Sequence, residues 1–424
     1  MRPKPNNDAG KMKHKGAVIL GAFLMGMICG CVGVPRNELP LYQRSMIIEN
    51  KAMEDRILAK ASLVETADPN VNNIRILSVS GTPYEMGFQH GRLLREDAQA
   101  NVHRVVTLAK TLGTEDMLDE IYDLMAPYIP IEEKEEMRGL AHGADIPLRV
   151  IHWFHAVPEI SEYGPKRRFL KQTSCSNVVT FGKSTADGEL YHLRVLDWIR
   201  RMGVQRRPVI LVHRPDSGNA SVAFTFAGFI GCVSGMNEKQ MSFGEMGYGD
   251  PPGESLEGIP FVFLFRKLMR EANTLDEAYE IIQHARRTCS YIFMITDAKA
   301  EDDAKKALLF MTDRNRLKVF GENTPLTDER EGTEYPPIDD VIYGGARMEE
   351  TYEGISAQYG RIDPGVLMWL ARAIALKGNM QNVVFKPGTL EAWVSHAAND
   401  TRDEQGRACN QQWFYFDFGD AVGR

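Results

Sequence analysis

The chain has 424 residues, 43% of them hydrophobic and 25% charged, which is enough apolar material for a large core in one big domain or two smaller ones. Its formal net charge of −7 leaves no basic footprint for nucleic acid, and that class of partner is set aside.

The N-terminus reads as a targeting segment. Arg2, Lys4, Lys11, Lys13 and Lys15 precede an apolar run from Ala17 to Ile28. A basic stretch followed by such a run fits a secretory signal and is short for crossing a bilayer. Ile28-Cys29-Gly30-Cys31 resembles a bacterial lipobox, with Cys31 as the lipidated first residue of the mature protein; the other reading is an uncleaved signal anchor. Either way the body of the protein lies outside the cytoplasm, in the bacterial cell envelope or secreted, where disulfides are permitted. Cys175, Cys232, Cys289 and Cys409 follow no zinc spacing and leave one disulfide open, with no pairing read.

After this signal (1–31), residues 32–73 read as a tether and an amphipathic helix over Met46 to Leu63. A strand is expected from Ile74 to Ser80, then a helix start at Thr82-Pro83-Tyr84-Glu85, with Thr82 as N-cap and Glu85 completing a capping box. Gly87 and Gly91, four apart, form a smooth strip where another backbone can pack closely. His90 on the same helix reads as a hydrogen-bonded core residue. Helical patterns follow over Arg95–Leu112, Glu115–Met125, Ile131–Gly143 and Pro147–Ile160, so 74–174 is a mostly helical segment.

At Cys175 the texture changes. A strand (Val178 to Phe181), the turn Thr185-Ala186-Asp187-Gly188 and a second strand (Glu189 to Val195) read as a hairpin that delivers Arg194 and Asp197. Two strand residues an odd number apart face opposite ways, so both converge on Cys175 only if the chain bends near Leu196. A cation lowers a thiol pKa and a carboxylate can hold a proton. The residues alone leave two readings, an activated thiol or a buried cysteine beside a surface Arg–Asp pair. Farther on come strands at Pro208–His213, Ser221–Phe226 and Gln240–Glu245, and helices at Phe261–Ala272 and Thr274–Arg286. Strands at Tyr291–Thr296, Ala307–Met311 and Leu317–Phe320 precede an exposed loop over 321–340. A helix from Pro364 to Leu376 and strands near Val383, Trp393 and Trp413–Phe418 close the chain. A helical part followed by strand layers with helices between them gives an α+β class.

Three stretches carry a family resemblance: GTPYEMGFQHG, CSNVVTFGKSTADGELYHLRVLDW and GMNEKQMSFGE. They resemble the bacterial relatives of acyl-coenzyme A:6-aminopenicillanate acyltransferase, in the N-terminal-nucleophile hydrolase superfamily. The resemblance runs from about residue 74 to 418. It implies a four-layer αββα sandwich over 175–424, no cofactor, and a precursor that cuts itself between Ser174 and Cys175. The freed α-amine of Cys175 then serves as base for its own thiol. Asp197 would hold that amine, Arg194 would neutralise Asp197 or hold the substrate's polar end, and Asn237 in the GMNEK turn would supply an amide donor to the oxyanion. The chain departs from the family in having serine before the cut. It also lacks the late asparagine: Val341-Ile342-Tyr343-Gly344-Gly345 stands there, and a backbone N–H of its Gly-Gly can take that place. Glu245 follows Asn237 on a strand, either near the site or on a solvated face. Cys232 and Cys289 read as small core residues, and the aromatic and aliphatic run Phe224–Ile230 as either an acyl pocket or core.

The resemblance therefore implies a cysteine hydrolase or acyltransferase that cleaves a linear amide in a small-molecule substrate through a thioester on Cys175. The alternatives are a phospholipase B-like hydrolase of carboxylic esters, or a non-catalytic lipoprotein binding module on the same fold. No oligomeric state is read from the sequence.

Overall fold

The computed structural model describes residues 51–66, 74–163, 175–247, 254–301, 304–324, 326–328, 333–398 and 404–424. The signal segment with Cys31, the tether to residue 50, and Ser174 lie outside them. Helix α1 (Lys51–Leu58) ends earlier than expected, because Ser62 and Leu63 belong instead to strand β1 (Ser62–Glu65), the edge of a sheet against β2 (Arg75–Gly81). The helix after β2, α2 (Pro83–Leu93), starts as the sequence dictates. The Thr82 hydroxyl accepts from Glu85 N–H, the Glu85 carboxylate accepts from Thr82 N–H, and Pro83 sits where no N–H is needed.

Four helices follow: α3 (Arg95–Leu112), α4 (Glu115–Met125), α5 (Ile131–Ala144) and α6 (Leu148–Glu162). The glycine strip on α2 meets a matching one on α5. A Cβ on Gly87 would lie 1.9 Å from Glu136 O, and one on Gly139 would lie 2.0 Å from Tyr84 O. The two backbones touch only because neither helix has side chains there.

The rest of the chain supplies β3 (Ser176–Thr180), β4 (Tyr191–Asp197), β5 (Pro208–Pro215), β6 (Ser221–Phe226), β7 (Ser234–Asn237) and β8 (Met241–Gly247), then α7 (Phe261–Glu271) and α8 (Leu275–His284). Next come β9 (Tyr291–Thr296), β10 (Ala307–Thr312), β11 (Leu317–Phe320) and a short hairpin of β12 (Leu326–Asp328) and β13 (Thr333–Tyr335), within what the sequence reads as plain loop. The chain ends with β14 (Val341–Gly345), α9 (Met348–Gln358), α10 (Pro364–Ile374), β15 (Asn379–Lys386), β16 (Glu391–His396), β17 (Phe414–Asp417) and α11 (Phe418–Val422). Helix α9 is not foreseen from sequence.

Among the described residues the strands form a larger sheet ordered β1-β2-β5-β6-β7-β8-β9-β10-β11 and a smaller one ordered β14-β3-β4-β15-β16-β17. Ile210, Val212, Phe224 and Met236 of the first pack against Val383, Phe385, Val394 and Phe416 of the second, which makes the layer between the sheets. Phe263, Leu268 and Ala278 of α7 and α8 cover the outer face of the larger sheet. Ile355, Leu367 and Leu370 of α9 and α10 cover that of the smaller. The chain thus forms the expected four-layer αββα sandwich. The helical segment is not a separate unit, because β2 runs parallel to β5 inside the larger sheet.

Candidate active site

Cys175 stands at the head of β3 with 6% of its surface exposed. Its backbone continues the ladder with β14. The Cys175 carbonyl accepts from Ala346 N–H at 3.1 Å, and the Ser176 hydroxyl donates to Ala346 O at 3.1 Å. Gly345, at φ +116°, makes this approach possible, since a Cβ there would lie 2.2 Å from Cys175 O. The Gly344-Gly345 pair therefore brings two backbones together beside Cys175.

Arg194 lies on β4 directly opposite Asn177 and is fully buried. It reaches the larger sheet because position 244 is glycine, where a Cβ would sit 3.0 Å from Arg194 Cγ. Nη2 donates to Glu245 O at 2.9 Å and lies 3.5 Å from Glu245 Oε2, while Nε and Nη1 have no partner among the described residues. Glu245 is itself buried, so the solvated-face reading of it is excluded.

Asp197 is also buried. Its Oδ2 accepts from Leu376 N–H at 3.1 Å, just past α10. β4 runs unbroken through Leu196; the irregularity lies in its partner β15, where the register slips between Asn379 and Gln381, opposite Asp197 and Leu196. Burial pushes the Asp197 carboxyl up to about 7, against the pull of the Leu376 N–H, Asn379 and the Arg194 guanidinium.

Burial likewise pushes the Cys175 thiol up to about 12; the Arg194 cation opposes this, and the Glu245 and Asp197 carboxylates add to it. The Asp197 backbone N–H, turned to the sulfur, favours the thiolate. The thiol is thus protonated at neutral pH. Arg194, Asp197 and Glu245 all act on it electrostatically.

Asn237 is not brought to the thiol in a donating role. Its Nδ2 donates to Met269 O at 3.0 Å and Ala272 O at 2.9 Å, and its Oδ1 accepts from Lys239 N–H and Met241 N–H. All its bonding capacity is spent on tying the β7–β8 turn to the end of α7. This corrects the expectation of an oxyanion donor. The GMNEK turn instead contributes Glu245, four residues along β8 from Met241, which pairs with Asn237.

His90 is a core residue, accepting from Gly228 N–H at 3.0 Å through Nε2. Cys232 lies 3.8 Å from the Met269 sulfur, Cys289 is buried at the start of β9, and the four described cysteines are free, so the open disulfide does not form among them. In the run Phe224–Ile230, Phe224 fills the layer between the sheets, whereas Phe226, Phe229 and Ile230 join the cluster that contains Cys175.

Residues 194–324 match the model of the acyl-coenzyme A:6-aminopenicillanic acid acyl-transferase family. Protein dcd1A of Dictyostelium discoideum is 27% identical over 340 residues, covering 72% of this chain and 72% of its own length. Protein dcd1B of the same organism is 24% identical over 313 residues, covering 67% of this chain and 59% of its own. A Caenorhabditis elegans N-acylethanolamine-hydrolyzing acid amidase ortholog superposes with a TM-score of 0.38 at 13% identity, over 57% of this chain and all of that one. Penicillin V acylase from Agrobacterium tumefaciens gives 0.34 at 11%, over 57% of this chain and 86% of that one. At such scores the fold rests on the strand order and layers described above. The segment 194–324, which spans Arg194, Asp197, the GMNEK turn and Glu245, is similar to the acyl-coenzyme A:6-aminopenicillanic acid acyl-transferase family, as the three motifs imply.

Proposed function

We propose that the chain is a cysteine hydrolase or acyltransferase that cuts itself between Ser174 and Cys175 and then cleaves linear amides through a thioester on Cys175. One observation carries this reading: a buried thiol heads β3 beside a buried arginine whose Nε and Nη1 have no partner among the described residues. The family match over 194–324 supports the acyl-transfer class.

In the self-cut, Cys175 Sγ attacks the Ser174 carbonyl carbon, the C–N bond breaks, and the departing nitrogen takes a proton to become the α-amine of Cys175. Water then hydrolyses the Ser174 thioester, leaving a carboxylate and a free thiol. An α-amine titrates near about 8, so it can take the thiol proton at working pH. Its ammonium form beside the sulfur adds a second positive charge to that of Arg194. Asp197, held near neutrality by burial, becomes an anion against that ammonium and orients it. In turnover Sγ attacks the substrate carbonyl, the amine leaves with the proton carried by the α-ammonium, and water or an acceptor amine resolves the thioester. Arg194 Nη1 and Nε, buried and without a partner among the described residues, are the donors left for a polar group of the substrate.

Lipidation of Cys31 would tether the enzyme at a membrane; no helix among the described residues is long and apolar enough to cross one. The soluble form, residues 32–424, should turn over N-acyl amides in a screen that pairs each amide with its matched ester. Cys175→Ala should abolish that activity. Turnover of esters with none of amides would remove the amide reading.

A further inference from the structure

The mechanism above leaves the oxyanion without a side-chain donor, because Asn237 is spent elsewhere. Two residues past Cys175, Asn177 is fully buried, and its Nδ2 has no partner among the described residues. Residues two apart on a strand share a face, so Asn177 and Cys175 look the same way. That face is the gap between the sheets: a Cβ on Gly244 of the opposing sheet would lie 2.1 Å from Asn177 Oδ1.

The orientation of the amide is fixed by a hydrogen-bonded chain across the gap. Thr296 Oγ1 and Ser242 Oγ are 2.6 Å apart, Ser242 Oγ is 2.8 Å from His192 Nδ1, and His192 Nε2 is 2.9 Å from Asn177 Oδ1. Ser242 N–H also donates to Thr296 Oγ1. With Thr296 donating to Ser242, Ser242 to Nδ1, and Nε2–H to Oδ1, every step is satisfied. Burial and the Arg194 charge push His192 down to about 3, so the imidazole is neutral and donates from one nitrogen. In the register of β3 with β4, Asn177 faces Arg194 and Val179 faces His192, so His192 lies on the side of Asn177 away from Cys175. With Oδ1 drawn toward His192, the other branch of the planar amide, Nδ2, turns toward the Cys175 end. Linked dipoles of this kind polarise the terminal N–H₂.

We propose that Asn177 Nδ2 donates to the oxyanion formed when Cys175 attacks an acyl carbonyl, with His192, Ser242 and Thr296 as positioning residues. This rests on the reading of Cys175 as nucleophile. Sγ bonds to the carbonyl carbon, the carbonyl electron pair moves onto oxygen, and Nδ2–H stabilises it until the pair returns and expels the leaving group.

The test compares two reactions of the same thiol in residues 32–424. Acylation by p-nitrophenyl acetate passes through an oxyanion, whereas alkylation by iodoacetamide does not. N-terminal sequencing confirms the cut form, and thermal melting confirms folding. In Asn177→Ala the acylation burst should slow by about 10²–10³-fold while alkylation stays within about threefold of wild type. Ser242→Ala, which only loosens the chain, should show the same selective loss on a smaller scale, and it covers a failure of Asn177→Ala to fold or to cut itself. Equal slowing of both reactions, or of neither, overturns the assignment while leaving Cys175 as nucleophile. A wild type that is uncut and gives no burst overturns the nucleophile reading and this one with it.

Discussion

At the scale of single residues, the site depends on what is missing at position 244. Arg194 and Asn177 both occupy space that any side chain there would fill, at 3.0 Å from Arg194 Cγ and 2.1 Å from Asn177 Oδ1. Gly244→Ala should therefore cost about 1–3 kcal/mol by overpacking, read as a lower urea midpoint, and should suppress acylation of Cys175 more than its alkylation. An unchanged burst would mean that neither residue needs its present position. That Cys175, Arg194 and Asp197 lie near one another was legible in the sequence, because one hairpin carries all of them and local spacing is enough. Glu245 was left open between the site and a solvated face, and Asn177 was not singled out. Their roles depend on which strand of the second sheet lies across the gap, a long-range pairing that no spacing encodes. Asn237 misled for the same reason, since its partners Met269 and Ala272 come from the end of a distant helix.

At the scale of elements, the helical segment is bound to the core by backbone contact and buried charge. Glu136 of α5 accepts from His213 Nε2 at 3.0 Å and from Arg266 Nη2 at 2.6 Å, linking that helix to β5 and α7. The α2–α5 contact holds Glu136 in place, because its carbonyl is the atom a Cβ at Gly87 would strike. Gly87→Ala should lower stability by about 1–3 kcal/mol or more in urea unfolding, since backbone cannot yield as a side chain does. A change near zero would show that the helices can separate freely. Capping signals read the start of α2 correctly, and apolar periodicity located α3 through α6. Periodicity failed where tertiary pairing decides: Ser62 and Leu63, read as helix, pair with Ser78 and Leu77, and α9 lies in a stretch with no strong apolar stripe.

At the scale of the whole molecule, the layers bury many titratable groups without exposing them to water. Burial holds His90, His192 and His396 down near about 3, and His155 and His213 near about 4. A histidine whose pKa is lowered by folding contributes stability that is present above its unfolded value, about 6.5, and lost as pH falls toward the folded one. The raised carboxyl of Asp197 works in the opposite sense, losing its contribution as pH rises from the ordinary carboxylate range to about 7. The five histidines outnumber the carboxyls that burial raises, Asp197, Glu133 and Glu159, so the urea midpoint should fall from pH 7 to pH 4.5; a flat profile would contradict their burial as neutral groups. The α+β class was legible from the order of helical and strand patterns, and the αββα layers came from the family resemblance. The insertion of β2 beside β5 was not, since a parallel neighbour more than a hundred residues away leaves no local trace. The claim on which all the chemistry depends is that Cys175 becomes an N-terminal residue. Intact mass and N-terminal sequencing of residues 32–424, beside Cys175→Ala, tests it most directly. The account predicts two chains from the wild type, one beginning at Cys175, and a single chain from the variant. A single uncut chain from both would contradict it, because the thiol held at about 12 would then have no base.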